Sequence, residues 1–203
     1  MKTSLTITAA DLRRGCEAYE KHEGRDSMYR VATYLLDQWW GKPPEMVDAL
    51  SVLLTTWNVA FYLRFGMFNP SRLESCLQKN WKLIECFHSR DIASFKKMDH
   101  QSIDFLFKQF LVALQSESGR RSPVAVAKTL HLLAPSFMPI WDNKIAQQYG
   151  CRFSANPSAA YVSFCEIISR LASRLKPETS SSSKTLLKQI DEFNYAKYTQ
   201  SWI

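Results

Sequence analysis

The sequence lacks paired cysteines. None of its five cysteines, Cys16, Cys76, Cys86, Cys151 and Cys165, stands at the Cys-x-x-Cys spacing typical of zinc and iron–sulfur sites. No histidine lies near them at a metal-ligand spacing either. We therefore expect no metal and no other cofactor. An odd, scattered set of cysteines is typical of a reducing compartment, in which thiols stay free.

A long apolar run is also absent. The N-terminus has no apolar core of signal-peptide length. The longest uncharged stretch, residues 49–63, contains Thr55, Thr56 and Asn58, and is too short and too polar to span a bilayer. We expect a cytoplasmic monomer that makes no membrane contact.

Strand signals are missing as well. No apolar run alternates with a period of two, there is no solenoid repeat, and the apolar periodicity is helical almost throughout. A hydrophobic content of 46% is enough to build a core. We predict an all-α protein with helices over residues 9–21, 26–40, 44–64, 69–87, 100–117, 122–133, 143–149, 156–175 and from about 185 to 198.

Two segments have a distinctive composition. Residues 44–64 are apolar on nearly all sides, which predicts one long, central and buried helix. Residues 176–184, KPETSSSSK, are the only low-complexity stretch and predict an exposed Ser-rich loop.

The charge is unevenly distributed. The net charge is +7, with about +2 in residues 1–100 and about +5 in residues 101–203. A basic excess favours a polyanionic partner, although many proteins without such a partner carry a similar charge.

Residues 119–150 contain the most informative pattern. Ser122-Pro123 predicts the start of one short helix, and the segment from Pro139 to Asn143 predicts the start of another. This places Asp142 at the mouth of the second helix. Aspartate is a favoured N-cap, so Asp142 can simply close that helix, and the same carboxylate can also serve in a site.

This pattern resembles the helix–hairpin–helix DNA glycosylase superfamily. In that family a hairpin between two helices offers backbone N–H groups to a DNA phosphate. A Pro-[Ile/Val]-x-Asp-x-x-[Val/Ile] segment follows, and its Asp is catalytic. The matching residues are Pro139, Ile140, Asp142 and Ile145, and the resemblance covers roughly 30 residues.

The chain departs from the family pattern in three ways. Arg120-Arg121-Ser122-Pro123 stands where the hairpin usually reads Gly-x-Gly, so the helix–hairpin–helix is degenerate. The lysine of the strand-cleaving members would fall near Val124, so it is absent. The four-cysteine cluster that some members carry is missing.

The resemblance implies a single unit over residues 1–203. Its fold would be two helical lobes around a central cleft, with lobe A over about 42–135 and lobe B over about 1–41 plus 136–203. The implied function is a monofunctional DNA glycosylase. It would hydrolyse the N-glycosidic bond of a flipped base in double-stranded DNA and leave an abasic site, with Asp142 as the catalytic residue. The divergence leaves room for an unusual substrate, such as a modified base of phage DNA.

The same resemblance suggests where DNA would bind. Trp57, Asn58 and Tyr62 are candidates for the wall of the base pocket, although such aromatic residues more often belong to a core. A second set, Arg120, Arg121, Ser122 and Lys128, is expected to contact the DNA backbone.

Several alternatives stay open at this point. Lys128 lies one turn beyond the family's lysine position, so we expect a surface or phosphate contact rather than a nucleophile. Asp191 and Glu192 can place a second carboxylate near the cleft, but we expect them to be charges on a helix surface. The chain can also be a non-catalytic helical DNA-binding or partner-binding module that kept the fold. A third alternative is a helical scaffold with no nucleic-acid role.

Overall fold

The computed structural model describes residues 7–152, 156–175 and 184–203. The chain is all-α, as predicted: these residues contain no strand, only an isolated antiparallel bridge between Phe68 and Ser116. The predicted Ser-rich loop lies outside the described residues except for Lys184. The helices are α1 (Ala9–His22), α2 (Asp26–Gln38), α3 (Pro43–Trp57), α4 (Val59–Phe65), α5 (Pro70–His88), α6 (Asp99–Ala113), α7 (Pro123–Leu133), α8 (Asn143–Gln148), α9 (Pro157–Leu175) and α10 (Leu186–Asn194). A 3₁₀ turn (Ile92–Ser94) precedes α6, and a π-helical turn (Tyr195–Thr199) follows α10.

Polar side chains close the first turns of the helices. Thr8 and Asp11 form a reciprocal capping box at the start of α1. Asn69 caps α5, Ser122 caps α7 and Asp142 caps α8, each by accepting a backbone N–H two or three residues into the helix. The caps at Ser122 and Asp142 fix the starts of the two short helices within residues 119–150.

The predicted long helix over residues 44–64 is wrong. It is broken at Asn58 into α3 and α4, which meet at 93°. The Phe61 N–H bonds to the Asn58 carbonyl, and the Trp57 carbonyl instead accepts a hydrogen bond from Lys128. Only α3 is central and buried, because the bend carries α4 outward and leaves Leu63 82% exposed.

Helices α2, α5 and α6 pack around α3 and α7. As predicted, α1 packs against the C-terminal helix α10. Helix α2 packs on α3 and α7, and α6 packs on α7 and α9. Buried apolar residues from both predicted lobes join in one continuous core, which includes Phe107, Trp141 and Phe164.

Among the described residues, no single helix combines the length and the apolarity needed to cross a membrane. The bent pair α3–α4 reaches those values only when its two helices are taken together.

The contact between α1 and α10 leaves no room for a side chain at Gly15. A Cβ there would lie 2.5 Å from the Phe193 Cα and 2.7 Å from its Cβ. We predict that Gly15→Ala lowers the free energy of unfolding by about 1–3 kcal/mol, because backbone must move to relieve the overlap. Urea unfolding measures this change.

Gly24→Ala is the matched control, since a Cβ at Gly24 meets no atom within 4 Å. Equal unfolding midpoints for the two variants would contradict the close packing of α1 on α10.

Candidate functional site

A pocket of about 240 Å³ opens where α1, α3, α7, α8 and α10 converge. Its walls combine aromatic rings with an unusual number of charged groups. The aromatic residues are Tyr19, Trp57, Trp141 and Tyr195, and the charged residues are Glu23, Arg25, Lys128, Asp142 and Asp191.

Asp142 lies in this pocket and also caps helix α8. Its Oδ1 accepts the Ile145 N–H at 2.7 Å. Its Oδ2 accepts a hydrogen bond from the Thr199 hydroxyl. The two bonds hold the carboxylate in one orientation, so capping does not remove it from the pocket.

Trp57 and Asn58 line the pocket where the sequence predicted a base-binding wall. The Trp57 indole donates to the Arg25 carbonyl at 3.0 Å, and Tyr29 stacks on the indole with ring centroids 5.6 Å apart. The Asn58 amide donates to the Ser122 hydroxyl at 3.4 Å. At most one face of the indole is therefore left for a ligand.

Tyr62 is not part of the pocket, which corrects the sequence-based prediction. Its side chain is 3% exposed and packs against Phe61 and Phe68. The reason is the bend at Asn58, which turns the Tyr62 side of α4 into the core.

Lys128 is neither on the surface nor placed to reach a phosphate outside the pocket. It is only 9% exposed, lines the pocket and donates to the Trp57 carbonyl. Burial lowers the pKa of Lys128 to about 8, although Asp191 and Asp142 favour its charged form. The sequence-based prediction placed Lys128 at the surface, whereas α7 is central and packs against both α3 and α6.

Three residues predicted to contact the DNA backbone lie just before α7. The Arg120 and Arg121 side chains are exposed. Their loop is fixed by hydrogen bonds from the Ser116 N–H to the Arg120 carbonyl and from the Arg120 N–H to the Ser116 hydroxyl. Ser122 is buried, and its hydroxyl accepts the Ala125 N–H at 3.2 Å, so it supports the loop from within rather than facing a phosphate.

The predicted surface charge at Asp191 and Glu192 is also wrong, because both side chains are buried. Asp191 lines the pocket, and burial raises its pKa to about 6 against the opposing effect of Lys188. The sequence held a signal for this position: Asp191 lies four residues after Leu187, on the same helical face.

A buried ion network extends from Asp191. The Lys188 Nζ lies 3.3 Å from Asp26 Oδ1, 3.3 Å from Glu192 Oε1 and 3.7 Å from Asp191 Oδ2. The same ammonium lies 5.0 Å from the centre of the Trp57 ring. The network therefore ties α2 and α10 to the pocket wall.

Tyr29 is itself held in place by His131. Burial lowers the pKa of His131 to about 4, so the ring is neutral. Its Nδ1–H donates to the Met138 carbonyl at 2.8 Å, and the Tyr29 hydroxyl donates to its Nε2 at 2.9 Å. This chain of bonds orients Tyr29, which stacks on Trp57.

No group of three or more His, Cys, Asp or Glu side chains is placed to hold a metal ion in the part of the chain that the structure describes. Cys16, Cys76, Cys86 and Cys165 are free thiols. Burial raises the pKa of Cys76 to about 11, which keeps that thiol protonated.

No protein-family model, no curated protein and no solved structure matches this chain. The side chains of the pocket themselves indicate which chemistry it can support. The pocket can hold a flat, polar ring against Trp57 with hydrogen-bonding groups around its edge. The fixed carboxylate of Asp142 can stabilise positive charge that develops beside such a ring.

The buried ammonium of Lys128 should lower the stability of the fold. We predict that Lys128→Met raises the free energy of unfolding by about 1–3 kcal/mol at pH 7, because the folded protein no longer buries this charge. The pKa of Lys128 falls from 10.5 unfolded to about 8 folded. The penalty is therefore complete below about pH 8 and shrinks as the pH rises towards 10.5.

Chemical denaturation of both proteins across this pH range tests the prediction. Lys108→Met, which removes an exposed lysine paired with Asp104, should change stability by less than about 1 kcal/mol. A Lys128→Met protein less stable than wild type at pH 7 would show that the ammonium is a structural support.

Proposed function

We propose that this chain is a monofunctional DNA glycosylase. It hydrolyses the N-glycosidic bond of a damaged or modified base that is flipped out of double-stranded DNA, and it leaves an abasic site. The observation that carries the proposal is that Asp142, which the Pro-Ile-x-Asp motif singles out, lies in one pocket with Trp57 and Asn58.

Asp142 is suited to the charge that this reaction creates. As the base leaves, positive charge develops on the sugar, and a nearby carboxylate stabilises it and can accept a proton from the attacking water. The Ile145 N–H and the Thr199 hydroxyl fix this carboxylate before any substrate arrives. Such preorganisation is the main source of electrostatic catalysis.

The pocket composition supports a nucleobase as the ligand. Its volume of about 240 Å³ suits one base rather than a large ligand. Trp57 offers an aromatic wall, while Asn58, Arg25 and Asp191 offer donors and acceptors for the edges of a ring. A modified base of phage DNA belongs to the substrates that this proposal covers.

The position of the pocket also supports the proposed two-lobed arrangement. Trp57, Asn58 and Lys128 come from residues 42–135, whereas Asp142 and Asp191 come from the other proposed lobe. A cleft between the two sets would place the base at their junction.

Arg120 and Arg121 support a DNA backbone site beside this cleft. Both are exposed just before the N-terminal end of α7, where their two positive charges favour a phosphate. The bond from the Asn58 amide to the Ser122 hydroxyl links their loop directly to the pocket wall.

A second candidate is a DNA-binding module without activity. One observation favours it: both oxygens of Asp142 already have hydrogen-bond partners, as expected of a residue that serves only as a cap. This module would bind duplex DNA and release no base.

Base release decides between the two candidates. The protein is incubated with a panel of damaged, modified and phage-derived duplexes, and released base is detected by mass spectrometry. We predict that Asp142→Asn slows release by about 10²-fold or more while DNA affinity holds or rises. The product should be an intact abasic strand that breaks only after alkali or heat, because no lysine stands at Val124.

Asp91→Asn is the matched control. Asp91 also caps a turn, by accepting the Ala93 N–H at 2.8 Å, and it does not line the pocket. Release by Asp142→Asn at the wild-type rate would reduce Asp142 to a cap and favour the second candidate.

The backbone site makes a separate prediction about salt. Changing Arg120 and Arg121 together to Ala should weaken binding to all sequences alike and reduce the log–log salt slope by about one unit for each lost phosphate contact. Fluorescence anisotropy over a range of salt concentrations measures the slope.

The control is the double change of Arg13 and Arg14 to Ala, since these two arginines are also adjacent and exposed but lie on α1. An identical slope for wild type and the Arg120/Arg121 double variant would remove this loop from the DNA interface.

A further inference from the structure

Lys128 is a buried charge that the chemistry of Asp142 does not use. A buried ammonium costs stability unless it is well paired, and Lys128 donates to a neutral carbonyl, that of Trp57. A buried ionisable group in a pocket is a candidate for a functional role.

Lys128 lies where it would be close to a base bound in the pocket. Its Nζ lies 5.9 Å from the centre of the Trp57 ring, the proposed wall of the base pocket. It lines the same pocket as Asp142, and the charges of the two groups interact. A base seated against Trp57 with its sugar at Asp142 would have the ammonium at its ring edge.

The departing base needs a proton. When the bond between the sugar C1′ and the base nitrogen breaks, its electron pair goes to the base, and a neutral base leaves as an anion. An acid that protonates the base in the transition state removes this charge, and typically speeds such a step by about 10²–10⁴-fold.

We propose that Lys128 is the general acid of this reaction and donates a proton from Nζ to the departing base. The inference rests on the proposed glycosylase function. The C1′–N bond breaks, the base takes the electron pair and the Lys128 proton, and water adds its hydroxyl to C1′. The remaining proton of the water goes to Asp142, which then releases it to solvent, and Lys128 regains a proton from solvent.

The groups that face Lys128 suit this role. Asp191 on α10 and Asp142 before α8 favour the ammonium, as does Glu23, whereas Arg25 and burial disfavour it. The resulting pKa of about 8 leaves the group charged at neutral pH and makes its proton easier to transfer than that of an exposed lysine.

The leaving group itself tests the proposal. An N7-methylguanine is already cationic and departs as a neutral base without a proton donor, whereas hypoxanthine, uracil and 8-oxoguanine depart as anions. Release is measured from duplexes that carry one such base, with the wild type, Lys128→Met, Lys108→Met and Asp142→Asn. Comparing two substrates on one variant cancels any loss of folded protein.

We expect Lys128→Met to slow release of the neutral bases by about 10²–10⁴-fold and release of N7-methylguanine by less than about tenfold. Asp142→Asn should slow both classes, because the sugar becomes positive in either case. Lys108→Met should match the wild type. On a neutral base, wild-type release should also fall above about pH 8 as Lys128 loses its charge, and Lys128→Met should lack this decline.

Three results would overturn the role of Lys128. These are an equal loss on both classes of base, wild-type release of the cationic base alone, and a covalent protein–DNA adduct trapped by borohydride, which would make Lys128 a nucleophile. The first two results leave base release by hydrolysis intact and so spare the proposed function. The third would also replace the proposed monofunctional hydrolysis by a covalent route. If the wild type releases neither class of base, both proposals fail together.

Discussion

The hydrogen bond from the Lys128 ammonium to the Trp57 carbonyl joins the two central helices of this protein. It occupies the carbonyl at the point where α3 ends, and the chain turns there by 93° into α4. The turn leaves Trp57 and Asn58 at the pocket instead of inside a continuous helix. The same buried cation lines the pocket, where we propose that it donates a proton.

The surroundings of this bond make the pocket rigid. Tyr29 stacks on Trp57 and is oriented by His131, whose ring is bonded to the Met138 carbonyl. Lys188 connects Asp191 to Asp26 beneath the same wall. Fixed and largely buried surroundings of this kind strengthen electrostatic effects, which suits the proposed role of the pocket in stabilising a transition state.

The sequence predicted the features that depend on neighbouring residues. The caps at Ser122 and Asp142 follow from local hydrogen-bonding chemistry, and the helix periodicity located nearly all of the described helices. The break at Asn58 was missed, and the contact that accompanies it, from Lys128 to the Trp57 carbonyl, joins residues 71 positions apart in the chain. An apolar pattern over residues 44–64 carries no trace of that contact.

The sequence also failed to predict which polar residues are buried. Lysine and aspartate are usually exposed, so residue type alone put Lys128 and Asp191 on the surface. Their burial results from the tertiary packing of α7 and α10. Tertiary packing also buries Tyr62 in the core, so it does not line the pocket. Asp142 was located by its motif, since a cap position is fixed within a single turn.

In the proposed reaction, Asp142 faces a sugar on which positive charge develops. Two duplexes test it without knowledge of the natural base: one carries a neutral tetrahydrofuran abasic site, and the other carries a cationic pyrrolidine in its place. Because enzymes bind mimics of a charged transition state about 10²-fold or more tightly than neutral ground-state analogues, we predict much tighter binding of the pyrrolidine duplex by the wild type. Asp142→Asn should abolish that preference. Equal affinity of the wild-type protein for the two duplexes would contradict this role of Asp142.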